Sequence, residues 1–492
     1  MTTIDPAAEA PPARHDGSGA GERARRWTRA GWVVALAAAG GVLLLAGAIW
    51  IAQDVAGHAM GAGGWGRAMT ILGWSLAGVN LAATLWWIVL VTTYRPVPAV
   101  PDDELPTCTV IVPAYNEGAQ VLKTLRSIAA SDYPPGKLQV VAVDDGSKDD
   151  TWEWICRGAR EFPHLVQVRR MEVNRGKRLA LCEGFALAHG EILVTVDSDS
   201  EVEPATLRQL VSPFVRDARV GGVAGNVRIL NRRAGIIPRM LDVSFAYSFD
   251  FIRAAQSRLD TVLCTPGALS AYRRNLVMKV LPEWLAQTFC GRPADIGEDR
   301  AITNLVLREG HLVRYQQTAT VYTEVPTRYV GLCRMFLRWA RSNIRETIVL
   351  TRFAFGPFRA GPATGARINL LLQWVGLTLG QVAKLAVLAA LAWMPGHVAA
   401  QLLAGAAVCG TLPAAVYALR YRSLQALWAF PYNLLWTLGL SWIALYAWLT
   451  PHKTSWLTRG LLAPRQAHAP APADVEVAAP LVVPEPAESA AA

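Results

Sequence analysis

Glu191-Ile192-Leu193-Val194-Thr195-Val196-Asp197-Ser198-Asp199-Ser200 is the run that decides the fold. Five apolar or β-branched residues followed by turn-forming ones read as a strand buried on both faces, as in a parallel sheet. The strand ends on two carboxylates spaced i and i+2. In open α/β sheets that carboxyl edge is where ligands bind. Asp-x-Asp suits a hard divalent cation that also takes oxygens from a diphosphate. A strand running into a polar turn would look the same in isolation, so the rest of the chain has to decide.

Outward from that strand the composition is divided. The chain of 492 residues is 52% hydrophobic and only 17% charged, too apolar for an ordinary soluble enzyme. Ala30–Ala52 and Ala68–Thr92 each hold about 20 mostly apolar residues, enough to span a bilayer. Ile368–Met394, Val398–Leu419 and Leu424–Leu449 are three further runs of this kind. Arg23, Arg25, Arg26 and Arg29 before the first run favour a cytoplasmic N-terminus, and two spans return the chain to that side. The expected organisation is a disordered basic N-terminus (1–29), two transmembrane helices (30–93) and a catalytic domain (105–327). An interfacial Arg-rich segment (328–360), about three more transmembrane helices (366–450) and an Ala/Pro-rich disordered tail (464–492) follow. The expected location is the cell (inner or plasma) membrane, multi-pass, with the catalytic domain in the cytoplasm. The seven cysteines show no Cys-x-x-Cys pair or zinc spacing, which fits reduced thiols. The net charge of +10 comes without a basic block interleaved with aromatics, so phosphate and lipid headgroups explain it better than nucleic acid.

Within the central region strand and helix patterns alternate. Strands are expected at Thr109–Val112, Gln139–Val143, Val166–Arg170, Ile192–Val196 and Val220–Gly225, with helices at Ala119–Ala130, Thr151–Arg160, Lys177–Ala188 and Pro204–Leu210. This predicts a mainly parallel sheet covered by helices on both faces. Ile236–Arg258, with Phe245, Tyr247, Phe249 and Phe251 among spaced arginines, reads as a segment lying along a membrane surface.

Polar residues gather where the strands stop. Tyr115-Asn116-Glu117 follows the first strand and Asp144-Asp145-Gly146-Ser147 the second; an aromatic and a carboxylate can grip a base and ribose, and either loop can also be a capped turn. Asn174-Arg175-Gly176-Lys177-Arg178 opens a helix, where backbone N–H groups and Lys favour phosphate. Gly297-Glu298-Asp299-Arg300 puts paired carboxylates at another helix start; they complement the helix dipole, and beside Asp-x-Asp they also offer a general base. Arg334, Arg338, Arg341 and Arg345 recur at i, i+4, i+3 and i+4, giving a basic stripe that rests in the headgroup layer, caps the site, or does both.

These pieces resemble the membrane-embedded family 2 glycosyltransferases, and within them the hyaluronan synthases and rhizobial-type chitooligosaccharide synthases. The resemblance runs through Val-Pro-Ala-Tyr-Asn-Glu (112–117), Val-Asp-Asp-Gly-Ser (143–147), Asn-Arg-Gly-Lys-Arg (174–178), Asp-Ser-Asp (197–199) and Gly-Glu-Asp-Arg (297–300). It continues through Arg-Trp-Ala-Arg-Ser-Asn-Ile-Arg-Glu (338–346) and Trp-Leu-Thr-Arg (456–459). It implies an α/β GT-A (Rossmann-like) domain inserted between transmembrane helices with amphipathic interfacial helices, a UDP-sugar donor and inversion in one displacement. Carried over by position, Tyr115, Glu117, Asp145, Lys177, Asp197 and Arg338 bind the nucleotide-sugar. Asp199, with Asp197, holds Mg²⁺ or Mn²⁺, and Asp299 with Glu298 supplies the base. Cys264, Ser270 and Trp339 border the acceptor. One departure stands out: the processive relatives carry Gln-x-x-Arg-Trp, and this chain has Met335-Phe336-Leu337-Arg338-Trp339.

The function expected is a metal-dependent inverting transferase that uses UDP-GlcNAc, with or without UDP-GlcA, to make and export a β-linked glycan. Its partners are the UDP-sugar, a growing glycan or lipid acceptor, and the bilayer. One alternative is a non-processive enzyme adding one sugar to a lipid; another is a non-catalytic membrane sensor or transporter, against which the carboxylates at 197, 199, 298 and 299 argue.

Overall fold

The computed structural model describes residues 64–453. The first predicted span, both tails and Trp456–Arg459 lie outside the described residues. A helix, α1 (Gly64–Thr93), leads into the α/β domain. There β1 (Cys108–Ala114), α2 (Gln120–Ala129), β2 (Leu138–Asp144), α3 (Thr151–Glu161), β3 (Val166–Arg170), α4 (Lys177–Leu187) and β4 (Ile192–Val196) alternate as the periodicity requires. Every residue of β1 and β4 is buried, which is why both read as unbroken apolar runs.

Beyond β4 the chain becomes less regular. β5 (Ser200–Val202), α5 (Thr206–Arg216), β6 (Val220–Ile229), α6 (Ile236–Ala246), a π-helical turn over Tyr247–Arg253, and α7 (Ala254–Arg258) come first. They are followed by β7 (Leu269–Arg273), α8 (Arg274–Leu285), a small hairpin of β8 (Thr288–Phe289) and β9 (Arg292–Pro293), α9 (Glu298–Arg308) and β10 (Leu312–Thr323). The main sheet has the order β3-β2-β1-β4-β7-β6-β10-β5. β7 runs antiparallel between β4 and β6, and β5 antiparallel to β10. The sheet is therefore mixed, with parallel pairing through β3-β2-β1-β4 and again between β6 and β10.

The C-terminal half is helical: α10 (Tyr329–Ala354), α11 (Thr364–Leu377), α12 (Leu379–Trp393), α13 (Pro395–Tyr421), α14 (Ala429–Leu434) and α15 (Trp442–Leu449). Thr364–Ala389 and Val398–Tyr421 are long and apolar enough to cross a bilayer. The expected span at Leu424–Leu449 is helical but irregular. A 3₁₀ turn and a π-helical segment (Leu435–Leu440) interrupt it on either side of the helix that carries Pro431.

Two expectations are corrected. Ile236–Arg258 does not lie open along a surface: Phe245, Phe249 and Phe251 are buried, and α6 is sandwiched between the sheet and α13. Val243 and Ala246 of α6 meet Ala414, Tyr417 and Ala418 of α13, and the alanines let the helices approach. The arginine stripe of α10 is not one continuous open face either, because Arg341 and Arg345 are buried. Arg341 donates to Thr450 Oγ1 (3.0 and 3.1 Å), and Arg345 to the Ile296 carbonyl just ahead of α9. A guanidinium supplies five donors, so a buried one is affordable where carbonyls and hydroxyls face it.

The apolar helices are joined to the sheet by a buried polar contact. Arg228 of β6 donates to Asp242 Oδ1 of α6 (2.8 Å), Tyr417 of α13 donates to Asp242 Oδ2 (2.6 Å), and the guanidinium sits 3.8 Å from the Tyr421 ring centroid. Asp242→Ala leaves Arg228 buried without its counter-charge and should cost about 3–5 kcal/mol. Tyr417→Phe removes one charge-assisted bond and should cost roughly 1.5–3 kcal/mol. Thermal unfolding of both variants in detergent checks the order: if Tyr417→Phe is as damaging as Asp242→Ala, the ion pair is not the main element.

Candidate active site

Three strand ends are stitched together by backbone donors. Asn116 N–H donates to Ser147 Oγ (3.0 Å), while the Glu117 and Gly118 amides donate to Thr151 Oγ1 (2.8 and 2.9 Å), joining the β1 and β2 loops. Asp145 is buried, and its carboxylate accepts from the Arg175 and Gly176 amides (2.8 and 3.0 Å) and from Asn174 Nδ2 (3.0 Å). It thus holds the Asn174–Gly176 turn. Gly146, at φ +68°, lets that turn close, because a Cβ there would meet the Asn174 backbone nitrogen at 2.6 Å. Tyr115 and Glu117 are half-buried beside this junction.

Lys177, the first residue of α4, crosses from one carboxylate group to the other. Its ammonium hydrogen-bonds Asp197 just past β4 and lies 3.3 Å from Glu298 Oε1 at the start of α9. Burial alone would lower the Lys177 pKa, but Asp197 and Glu298 more than reverse this and keep it charged. Gly297, at φ +77°, allows α9 to begin there; a Cβ would collide with the Ser342 side chain of α10. Trp284 Nε1 donates to the Glu298 carbonyl (3.0 Å) and fixes the first turn.

Glu298 and Asp299 are adjacent in sequence and opposite in electrostatics. Burial raises Glu298, yet Lys177 and Arg338 outweigh it, and its carboxyl is held below the usual value. Asp299 is raised, first by burial and then by the negative charge of Glu298, despite Lys177, the Arg300 amide and Arg338. Glu298 is therefore engaged as a counter-ion, and Asp299 is the more basic carboxylate of the two. Cys264 Sγ lies 3.6 Å from Asp299 Oδ2. Lys177, Gly267, Ser270, Trp284, Glu298 and Asp299 are among the residues lining a small cavity.

The Asp-x-Asp pair faces a third carboxylate. Asp199 is pushed up to about 6, mainly by burial and then by Asp197, while accepting from Ser200 Oγ and Thr323 Oγ1 (both 3.1 Å). Glu117 is pushed up to about 8, by burial and then by Asp199 and Asp197. Among the described residues no three His, Cys, Asp or Glu side chains form a ready metal cage. The donor set nonetheless fits Mg²⁺ or Mn²⁺: hard oxygens, mutually repelling, too few to complete a shell without phosphate.

The acceptor residues spread further. Ser270 is buried in β7, its hydroxyl 2.8 Å from Thr195 Oγ1. Trp339 is 42% exposed and packs against Phe245 and Phe336. Arg338 is half-buried, and its charge acts on both Glu298 and Asp299. Sequence reasoning missed Thr323, Trp284 and the hydroxyls of Thr265, Tyr272 and Thr303. The alternation in Leu312–Thr323 signalled the strand that carries Thr323; nothing local signals the others.

The family model "Glycosyltransferase like family 2" matches residues 106–342. An N-acetylglucosaminyltransferase of Rhizobium meliloti is 33% identical over 402 residues, covering 77% of this chain and 91% of the relative. The chain belongs to the family 2 glycosyltransferases. A hyaluronan synthase of Streptococcus pyogenes is 33% identical to this transferase over 57% of the chain and 68% of that protein. A solved mannosyltransferase of Pyrobaculum calidifontis, in complex with GDP-Man and Mn²⁺, superposes with a TM-score of 0.54 at 25% identity, over 75% of this chain and 99% of its own.

The contrast between the two neighbouring carboxylates predicts a pH effect. A base must be ionised, so kcat/KM of this transferase should fall on acidification through a pKa above the ordinary aspartate value of about 3.9. Glu298→Gln removes the charge that raises Asp299 and should move that acid limb to lower pH. A pH–rate profile of both proteins checks it; an unmoved limb would assign the titration to another group.

Proposed function

We propose that this transferase is an inverting, metal-dependent membrane enzyme that takes a UDP-sugar, UDP-GlcNAc alone or with UDP-GlcA, and builds a β-linked glycan. The observation that carries the reading is the division of labour at residues 298 and 299, next to Asp197 and Asp199. Asp299 accepts the proton of the acceptor hydroxyl. The freed oxygen forms a bond to the anomeric carbon from the face opposite the diphosphate, and the old C–O bond breaks with its electron pair leaving on UDP. Lys177 and Arg338 add positive charge on the side where that negative charge develops. Asp199, Asp197 and Glu117 would hold a divalent cation. Such a cation neutralises charge on the departing diphosphate. Tyr115 and the loop shaped by Asp145 take the nucleotide, and Trp339 offers a ring face to the acceptor sugar.

The donor and product are supported by what the relatives are named, an N-acetylglucosaminyltransferase and a hyaluronan synthase. The mannosyltransferase held with GDP-Man and Mn²⁺ supports a nucleotide-sugar and a cation. Two apolar helices support residence in the cell membrane, and the basic N-terminus a cytoplasmic active site.

Shorter products, or transfer of a single sugar to a lipid, form the second reading. Met335, where the processive relatives carry a glutamine, is buried in the core, and Phe336 meets Trp339 and Trp436 edge-on at centroid distances of 5.5 and 5.2 Å. A chain held by rings alone lacks the hydrogen bonds an amide supplies.

Purified protein incubated with UDP-sugars singly and in pairs should release UDP, and product length on a gel separates polymer from single transfer. EDTA and Asp199→Asn should each abolish turnover, with Mg²⁺ or Mn²⁺ restoring the wild type. Asp299→Asn should retain UDP binding by calorimetry while transfer falls roughly 10²–10⁴-fold. Full activity in EDTA would remove the metal from this scheme, and normal turnover by Asp299→Asn would remove the base.

A further inference from the structure

Behind Asp299 lies a chain of hydroxyls that the chemistry above leaves unused. Tyr272 Oη is 2.5 Å from Thr265 Oγ1, which is 2.7 Å from Thr303 Oγ1; Thr303 Oγ1 is 2.7 Å from the Asp299 carbonyl oxygen. Thr265 and Thr303 are fully buried and Tyr272 nearly so. Thr303 also receives the Thr265 amide at 3.1 Å.

The direction of these bonds follows from counting protons. A carbonyl only accepts, so the single proton of Thr303 goes to Asp299 O. Thr303 Oγ1 then accepts from Thr265 O–H, whose oxygen in turn accepts from Tyr272 O–H. Such a one-way relay has no freedom to reorient, and each member is satisfied only while the other two stay in place.

Its members sit on three different pieces of the site. Tyr272 is on β7, paired with Leu193 of β4, four residues before Asp197. Thr265 follows Cys264, whose thiol touches Asp299. Thr303 is one turn into α9, whose first turn carries Glu298 and Asp299. Lys177 bridges the two carboxylate groups directly through its ammonium, whereas the hydroxyls link the elements that carry them.

We propose that Tyr272, Thr265 and Thr303 form a positioning strut that sets the distance between the base Asp299 and the donor held at Asp197 and Asp199. The strut touches Asp299 only through its backbone carbonyl, so its members are positioning residues and not catalytic ones. This rests on the reading of Asp299 as the base. Loss of one hydroxyl lets α9 drift against β4, and displacements of about 1 Å cost on the order of 10²-fold in rate.

The test uses the full chain in detergent. Thr303→Val and Tyr272→Phe should lower kcat by roughly 10- to 100-fold, while the UDP-sugar KM and UDP affinity stay within about twofold of wild type, since nothing in the nucleotide loops is touched. Thr303→Ser, which keeps the proton, should recover kcat to within about threefold. Asp299→Asn run alongside separates the two levels of the argument: unimpaired turnover there refutes the base, whatever the strut variants do. With Asp299→Asn inactive, wild-type kcat in both Thr303→Val and Tyr272→Phe would overturn the strut. So would a failure of Thr303→Ser to recover, or a loss confined to KM. If Thr303→Val does not fold, Tyr272→Phe decides alone, because it deletes a single oxygen and preserves the ring.

Discussion

One ammonium group holds the two halves of this site in register. Lys177 sits at the N-terminus of α4, where the helix dipole is unfavourable to a cation, and it is largely enclosed. It persists there because Asp197 and Glu298 approach it from the end of β4 and the start of α9. Without those partners burial would drive the amine toward neutrality, and without the amine two carboxylate groups would repel across a few ångströms of poorly solvated space. The interaction also determines which acid is left over. Glu298 is engaged by Lys177, so Asp299, on the next residue of the same helical turn, is left as the more basic of the two carboxylates.

Much of this was readable in the chain beforehand, and for a physical reason. Ile192–Val196 and Thr109–Val112 are fully buried parallel strands, and full burial on both faces permits only apolar residues, which advertise themselves. The strand-end residues at 115–117, 144–147 and 197–199 are legible because three polar ends recur along one edge, whereas any one alone reads as a capped turn. β7 was less visible: Leu269–Arg273 is short, antiparallel and follows a loop, so only its neighbours β4 and β6 define it as a strand. The hydroxyls of Thr265 and Thr303 are 38 residues apart and mean nothing until the fold brings them together.

The arginine stripe marks another boundary of what periodicity conveys. The spacing of Arg334, Arg338, Arg341 and Arg345 correctly places them along one helix, but a period does not say whether that face meets water, lipid or protein. In this transferase two of them turn inward, and the Ile296 carbonyl and Thr450 receive them. Buried guanidinium groups look improbable in a sequence because their partners are a backbone oxygen and a hydroxyl about a hundred residues away, which no local sequence pattern displays.

The seam between α6 and α13 bears on how this molecule can be divided. Val243 and Ala246 lie under α13, and Asp242 shares its carboxylate between Arg228 of the sheet and Tyr417 of α13. Cutting the chain after the α/β region would bare this apolar surface and strip the buried Arg228–Asp242 pair of its tyrosine partner. The domain that sequence comparison outlines at 106–342 is thus a unit of ancestry more than of folding. The piece of the enzyme that keeps its buried contacts extends at least through Thr450, which receives the buried Arg341.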